Sequence, residues 1–285
     1  MSVAAADKAL LAETPVLRIA PSRGWWELPF SELWDYRELL YFIVWRDIKI
    51  RYKQTVIGAA WAVLQPFLTM LVFSLFFGKL AHVPSDGMPY PIFYYSALLP
   101  WMYFAAALQN ATNAIVENQR VITKVYFPRV VLPLSAVLAS LVDFGISLGM
   151  FLVLMVYYKI HLTAASIWFP AFLLLAVLTA LGVGLWLSAL NAIYRDVRYV
   201  MPFVIQFWMF ASPVAYPSSL VPGRWRWLYG LNPMAGVIEG FRWSLAGHGD
   251  APGAMMIVSA GVVLVILFGG FAYFQRMETT VADVV

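Results

Sequence analysis

The whole chain of 285 residues holds three histidines, His82, His161 and His248, and no cysteine. Without cysteine there is no disulfide scaffold, thiol nucleophile, iron–sulfur cluster or thiolate zinc site. The histidines stand far apart and fall between apolar runs, where a solvated loop histidine is the plain reading. Neither an HExxH pair nor a GxxxxGK[ST] loop occurs, so the chain offers no zinc-protease site and no P-loop grip on ATP. Asp143 is the one carboxylate deep in an apolar run. A proton relay or intramembrane protease needs several ionisable groups there, and a lone carboxylate makes no acid–base pair. Asp143 is therefore expected to be protonated or bonded to a neighbouring helix. We expect no catalytic residue, no metal ligand and no cofactor on this chain. The missing chemistry points to a conduit.

The elements that would build one are legible in the composition. Hydrophobic residues make up 62% of the chain and charged residues 12%, and the mean hydropathy is +0.76. A soluble domain carries about 25% charged residues and must still face water with polar groups, while a disordered chain is poor in apolar residues. The chain is an all-α integral membrane protein. Six segments are apolar enough to cross: 56–78, 92–116, 130–158, 167–194, 199–216 and 254–274. Their runs are continuous rather than alternating, which argues against a barrel. The fifth is short. After it, 217–253 is broken by Pro217, Pro222 and Pro233 and rich in aromatics, as suits a re-entrant or interfacial helical hairpin.

Lys and Arg set the sides. With six spans both termini share one face, and that face holds 14 of the 19 basic residues. The positive-inside rule then puts both termini in the cytoplasm. The net charge of +4 is read as this asymmetry and not as a nucleic-acid surface. The first 15 residues carry Asp7 and Glu13 and do not read as a cleavable signal peptide. Ser31 is placed to cap a helix running through 32–54. In it Leu40, Ile43, Val44 and Ile48 recur at helical spacing, while Arg46, Lys49 and Lys53 form a basic stripe on another face. Such a helix lies in the headgroup plane, either as an anchor on anionic lipid or in contact with substrate. The chain thus divides into a cytoplasmic tail at 1–30, an amphipathic interfacial helix at 31–55, a six-span domain at 56–276 containing the outer hairpin, and a second tail at 277–285.

Inside the spans Gln65, Gln109, Asn110, Asn113, Asn191 and Gln206 can bond neighbouring helices, and Gly145-xxx-Gly149 and Ala180-xxx-Gly184 permit close approach. Trp25, Trp26 and Trp101 suit interfacial belts. Phe203, Phe207 and Phe210 share one helical face, as do Phe73 and Phe77. Aromatic rings stack on the C–H faces of sugars, so these stripes suit a polysaccharide path, and equally lipid-facing or core packing.

Four strings occur in order: Arg46-Asp47-Ile48-Lys49-Ile50-Arg51-Tyr52-Lys53-Gln54-Thr55 leading to Gly58, Trp61 and Pro66; Val125-Tyr126-Phe127-Pro128-Arg129 leading to Pro133; Asn191 with Tyr194-Arg195-Asp196-Val197-Arg198-Tyr199; and Leu231-Asn232-Pro233. Together, over about residues 30–276, they resemble the membrane (permease) subunit of bacterial ABC-type exporters of O-antigen, capsule and teichoic acid. The resemblance implies a permease moving a lipid-linked polysaccharide across the bacterial inner membrane. It implies a homodimer of this chain driven by two copies of a cytoplasmic P-loop ATPase that carries the ATP and Mg. In such permeases the first and fifth spans line the conduit, here Trp61, Phe73, Phe77, Phe203, Phe207 and Phe210. The loop between the second and third spans docks on the ATPase, here Glu117, Arg120, Val121, Ile122, Lys124, Val125 and Tyr126. Of these, Val121, Ile122 and Val125 make an apolar face suited to a partner's groove. The hairpin forms an outer gate, here Arg224, Trp225, Arg226, Trp227 and Arg242, with Glu239 spaced to pair with Arg242. Arg46, Lys49, Arg51 and Lys53 fall at the cytoplasmic entrance. A type-2 ABC permease for teichoic acid, capsule, drugs or lipids shares the architecture, and a multi-spanning membrane enzyme is the reading from another class.

If ATP hydrolysis resides on a separate chain, the purified protein should neither bind nor turn over ATP. Nucleotide-binding and phosphate-release assays on the isolated chain check this, and turnover free of contaminating ATPase contradicts it.

Overall fold

The computed structural model describes residues 30–53, 58–247 and 253–284, and no strand occurs among them. Trp25, Trp26, Gln54, Thr55, Val56 and His248 lie outside the described residues, as does nearly all of the tail expected at 1–30. The helices are α1 (Phe30–Asp35), α2 (Arg37–Lys53), α3 (Ala60–Phe73), α4 (Tyr90–Glu117), α5 (Gln119–Ile122), α6 (Val131–Tyr157), α7 (Phe169–Ile193), α8 (Val197–Ala211), α9 (Arg226–Tyr229), α10 (Pro233–Phe241) and α11 (Ala254–Val284). A π-helical turn, Ser74–Leu80, extends α3, and another, Arg242–Ala246, follows α10.

Among the described residues, five helical segments are long and apolar enough to cross a membrane: Ala60–Leu80, Tyr90–Glu117, Val131–Tyr157, Ala164–Ile193 and Ala254–Glu278. The fifth expected span is shorter than its sequence suggested. It is the 15-residue α8, about 22 Å at 1.5 Å per residue, against a hydrocarbon core of about 30 Å. Ser212 leaves the helix in an extended conformation.

α4 is the central post. It is buried along most of its length, and Tyr94, Tyr95, Phe93 and Phe104 are fully buried within it. α3, α6, α7, α8 and α10 all pack on it. Several of its polar groups bond within the bundle, while the Tyr94 hydroxyl is buried without a hydrogen-bond partner. Thr112 Oγ1 donates to the Leu108 carbonyl at 2.7 Å. Asn191 of α7 donates to the Thr112 carbonyl at 3.0 Å and to Asn113 Oδ1 at 3.3 Å. α7 in turn lies flush on α11. A Cβ on Gly270 would fall 2.6 Å from the Gly182 carbonyl, and one on Gly182 would fall 3.0 Å from the Leu267 backbone.

Of the two small-residue patterns, Ala180-xxx-Gly184 does bring helices together, since Gly184 faces Ala111 of α4. Gly145-xxx-Gly149 does not. Both of its glycines face open space in this chain.

Contacts place several segments at one end of the bundle. Arg46 of α2 bonds Asn118, just past α4, at 2.8 Å, and Arg129, just before α6, bonds the Glu278 carbonyl of α11 at 2.8 Å. At the other end Ser219 bonds Asp86 at 2.9 Å, and Ser166 bonds the Ser244 carbonyl at 3.0 Å. The chain therefore passes from the first end to the second between Asn191 and Ser219.

Overpacking should weaken the α7–α11 seam. Gly270→Val should lower stability by roughly 1–3 kcal/mol, while Gly145→Ala should stay within about 0.5 kcal/mol. Thermal melts of the detergent-solubilised chain check the pair.

Candidate functional site

Apart from the phenylalanine stripes, three regions collect the expected site residues: a pair of cavities beside α2, the α5 loop, and the segment from Ser212 to Gly247.

The first cavity, about 790 Å³, lies among α2, α3, α4 and α6 and is reached by Met209 of α8. Trp61, Pro66, Met102 and Phe144 supply apolar wall, and Gln65, Ser140 and Ser147 supply polar groups. Asp143 projects into it, and its carboxylate accepts from the Arg51 guanidinium and from the Tyr52 hydroxyl. Burial, reinforced by Asp143, raises the Tyr52 pKa above its ordinary value, so the hydroxyl stays a donor. Asp143 is thus bonded to a neighbouring helix, one of the two states expected of it. The partner is α2, which the sequence placed in the headgroup plane. Asp143 lies 12 residues into α6, about 18 Å along it. At Ser147, about 24 Å along, the hydroxyl donates to the Ala62 carbonyl at 2.7 Å, where α3 begins. The end of α2 and the start of α3 are both sunk against the middle of α6.

The second cavity, about 460 Å³, is polar and lies toward the Asn118 end, lined by Arg46, Asp47, Asn110, Glu117 and Asn118. Arg51 lines both.

The four entrance residues divide. Arg46 pairs with Asp47 at 2.8 Å and bonds Asn118, and Arg51 turns to Asp143. Lys49 and Lys53 stay exposed, with Lys49 over the Trp45 ring at 5.3 Å. Ile43 is buried as the spacing predicts, but Trp34, Tyr41, Phe42, Trp45 and Ile50 are exposed. The outward face of α2 is aromatic and apolar with lysine at intervals.

The aromatic stripes divide. Phe203 and Phe207 are 70% and 67% exposed, Phe210 is exposed beside them, and Trp61 is exposed at the start of α3. Trp61 and Met209 line the same cavity, so α3 and α8 flank one opening. Phe73 is different from what its spacing suggested. It is buried, edge-on to Phe77 at 5.2 Å and to Tyr94 at 5.8 Å. It packs α3 on α4 and does not line the open face; Phe77 is half-buried next to it.

In the loop after α4, Glu117, Arg120 and Lys124 are exposed. Val125 and Tyr126 are 55% and 66% exposed. Val121 and Ile122 are half-buried against the chain's own core, so the apolar face offered outward is Val125–Tyr126 and not the three-residue face expected. Phe127, which the spacing did not single out, is buried and anchors the loop. Its neighbour Arg129 is tied to Glu278 through backbone and side chain.

At the other end Arg224, Trp225 and Trp227 are exposed, with Arg224 over the Trp225 ring at 5.8 Å, and Arg226 is half-buried. Arg242, expected at the outer gate, is 2% exposed and turns inward, where it makes the pair with Glu239 that their spacing suggested. Its guanidinium pairs with Glu239 at 2.9 Å, bonds the Val214 carbonyl at 3.2 Å and lies 3.8 Å over the Phe93 ring. Glu239 also accepts from the Ser218 amide at 3.3 Å. The pair clasps the extended segment after α8 onto α10.

Asn232 completes that joint. Its Oδ1 caps α10 by accepting from Met234 N and also takes the Trp208 Nε1 hydrogen. Its Nδ2 donates to the Ala211 carbonyl at the end of α8 and to Ser212. Pro233 follows at the first helical position, where its missing N–H costs nothing. The Leu231-Asn232-Pro233 string is therefore a splice between α8 and α10. A buried α10 was not foreseen, but its apolar residues from Pro233 to Phe241 were the available signal.

Comparison with known proteins gives one family and several relatives. The description of the ABC-2 type transporter family matches residues 38–246. An O-antigen export system permease protein from Myxococcus xanthus is 31% identical over 255 residues, covering 88% of this chain and 97% of that protein. One of the same description from Klebsiella pneumoniae is 26% identical over 249 residues, 87% and 95% of the two chains. A polysialic acid transport protein from Escherichia coli is 25% identical over 244 residues, 82% and 91%.

Removing one partner of a buried ion pair leaves an uncompensated charge. Glu239→Ala should therefore destabilise by about 3 kcal/mol and loosen the segment from Ser212 to Ser219. Arg242→Met should be milder, because Glu239 is partly exposed and can turn to water. Thermal melts and limited proteolysis of the two variants check the order.

Proposed function

Since the chain belongs to the ABC-2 type transporter family, we propose that it is the permease subunit of an ATP-driven exporter that moves a lipid-linked polysaccharide out across the bacterial inner membrane. The observation that carries this is the near full-length match to permeases whose names specify O-antigen and polysialic acid. A drug or small-lipid permease of the same architecture is set aside on those names. The absence of a P-loop in the sequence supports an ATPase on a separate chain.

In this reading the chain crosses the bilayer six times, with both termini cytoplasmic. The contacts that support it are those of the two bundle ends. α2 and Glu278 of α11 lie at one end, and the passage from Asn191 to Ser219 reaches the other. α8 needs the extended segment after it to complete its crossing, and α9 and α10 then form a shallow re-entrant plug. α10 sits among the first turns of α4, α7 and α11, through Phe93, Phe172 and Ser259. Exposed Trp225 and Trp227 suit the headgroup level beside it. The basic residues of the α4–α6 loop mark the cytoplasmic end.

The exposed faces of α3 and α8 are given to a second copy of this chain, with Trp61, Phe203, Phe207 and Phe210 facing the path between the two. Two ATPase copies dock below. The docking contact is assigned to Val125 and Tyr126, rimmed by Arg120 and Lys124, with Val121 and Ile122 shaping the loop from within.

The experiment is complementation of a strain lacking the chain, scored for polysaccharide at the cell surface and for the partner ATPase that co-purifies. Val125→Asp should abolish export and cut co-purified ATPase at least tenfold while insertion is unchanged. Val121→Asp should instead reduce folded protein, since its charge enters the chain's own core. Full assembly and export with Val125→Asp would remove the docking assignment. Normal surface polysaccharide without the chain would remove the exporter reading.

A further inference from the structure

The two cavities beside α2 differ in character and share a single wall residue, Arg51. One is apolar and aromatic, holding Trp61, Met102 and Phe144. The other is the more polar and opens toward the cytoplasmic end of the bundle, with Arg46, Asp47, Asn110, Glu117 and Asn118 on its wall. We infer that together they form a binding site for an amphiphile with a phosphate headgroup, its chain in the apolar cavity and its phosphate on Arg51 at the neck. The side of the membrane rests on the exporter reading; the site itself does not.

The volumes fit. About 790 Å³ lies within the range of roughly 300–1,000 Å³ that holds a small ligand, and its wall suits an alkyl or isoprenoid chain better than a sugar. The headgroup follows from the neck. A guanidinium has five N–H donors in a planar fork and takes phosphate as readily as carboxylate. Here Asp143 occupies it, and the pair is not sealed: the Arg51 and Asp143 side chains keep 30% and 28% of their exposure. An arriving phosphate competes with Asp143 for the same donors; Arg46 beyond it is held by Asp47 and Asn118, so Arg51 is the receptor. Asp143 is not left bare when it loses Arg51, because the Tyr52 hydroxyl still donates to its other oxygen.

Asp143 is thus a resident competitor for the ligand as well as a tether for α2. Occupancy exchanges one ion pair for another and leaves the Tyr52 hydroxyl as the remaining bond from the end of α2 to Asp143.

That double role gives a signature a plain structural ion pair lacks. Arg51→Gln removes the receptor and Asp143→Asn removes the competitor, so the two changes should move affinity in opposite directions. The test is native mass spectrometry of the full chain from a neutral detergent, titrated with dodecyl phosphate, dodecyl glucoside and inorganic phosphate. Wild type should take up one dodecyl phosphate in preference to the glucoside and should not retain inorganic phosphate. Arg51→Gln should weaken dodecyl phosphate at least tenfold, Arg51→Lys should weaken it less, and Asp143→Asn should strengthen it several-fold. Phosphatidylglycerol and farnesyl phosphate, run in parallel, identify the source. Preference for the first makes the occupant a bilayer phospholipid, and preference for the second an isoprenoid carrier.

Equal uptake of glucoside and phosphate overturns the proposal. So does an unchanged affinity in Arg51→Gln, or a loss in Asp143→Asn matching that in Arg51→Gln while Arg51→Lys remains folded. No arm measures export, so failure here leaves the exporter reading standing, and failure of export leaves this result readable.

Discussion

An ionised side chain turned into a helical bundle must find its partner within the protein, because little water reaches it there. Two such pairs shape this molecule. Arg51 and Tyr52 meet Asp143 and draw the end of α2 down against the middle of α6. Arg242 meets Glu239 and draws the segment after α8 onto α10. Each pair joins a short or broken element to the long helices. The bundle of α4, α6, α7 and α11 is held by apolar packing and close glycines. The elements around it are placed by charge.

This division of labour separates a scaffold from the parts a transporter must move. Packing at Gly182 and Gly270 permits little displacement, since backbone lies against backbone. An ion pair can exchange partners in one step, if a competing charge arrives. The α2 and α8–α10 joints lie beside the two ends of the chain's open face, where a cargo would enter and leave. In the loop after α4, buried Phe127 and the Arg129–Glu278 contact tie the exposed Val125–Tyr126 face to α11. Movement of that loop is thereby coupled to a helix that runs the length of the bundle.

Much of the architecture was legible in the sequence because it depends on long-range averages. Apolar run length marked the long helices. What could not be read depends on the phase of a helix or on its partner. Val121 and Val125 are equally apolar, and only the turn of the chain around Phe127 decides which one faces outward. Phe73 and Phe203 carry the same ring, and the neighbouring α4 buries one and not the other. Asp143 stood out as the lone intramembrane carboxylate, but its partners sit 91 and 92 residues away in a helix whose composition suggested the membrane surface. The Glu239–Arg242 spacing was visible as a local pair. Its burial was not, because that required α10 to fold back among three other helices.

The most direct test of this account is a charge swap across the α2–α6 joint. Arg51→Asp and Asp143→Arg each place two like charges together within the bundle, and each should lose most of the folded protein recovered from the membrane. The double variant restores an opposite pair on the same two helices. The account predicts that it recovers a large part of the folded yield, measured by size-exclusion chromatography in detergent. A double variant no better than the worse single variant contradicts the claim that this ion pair seats α2 within the bundle.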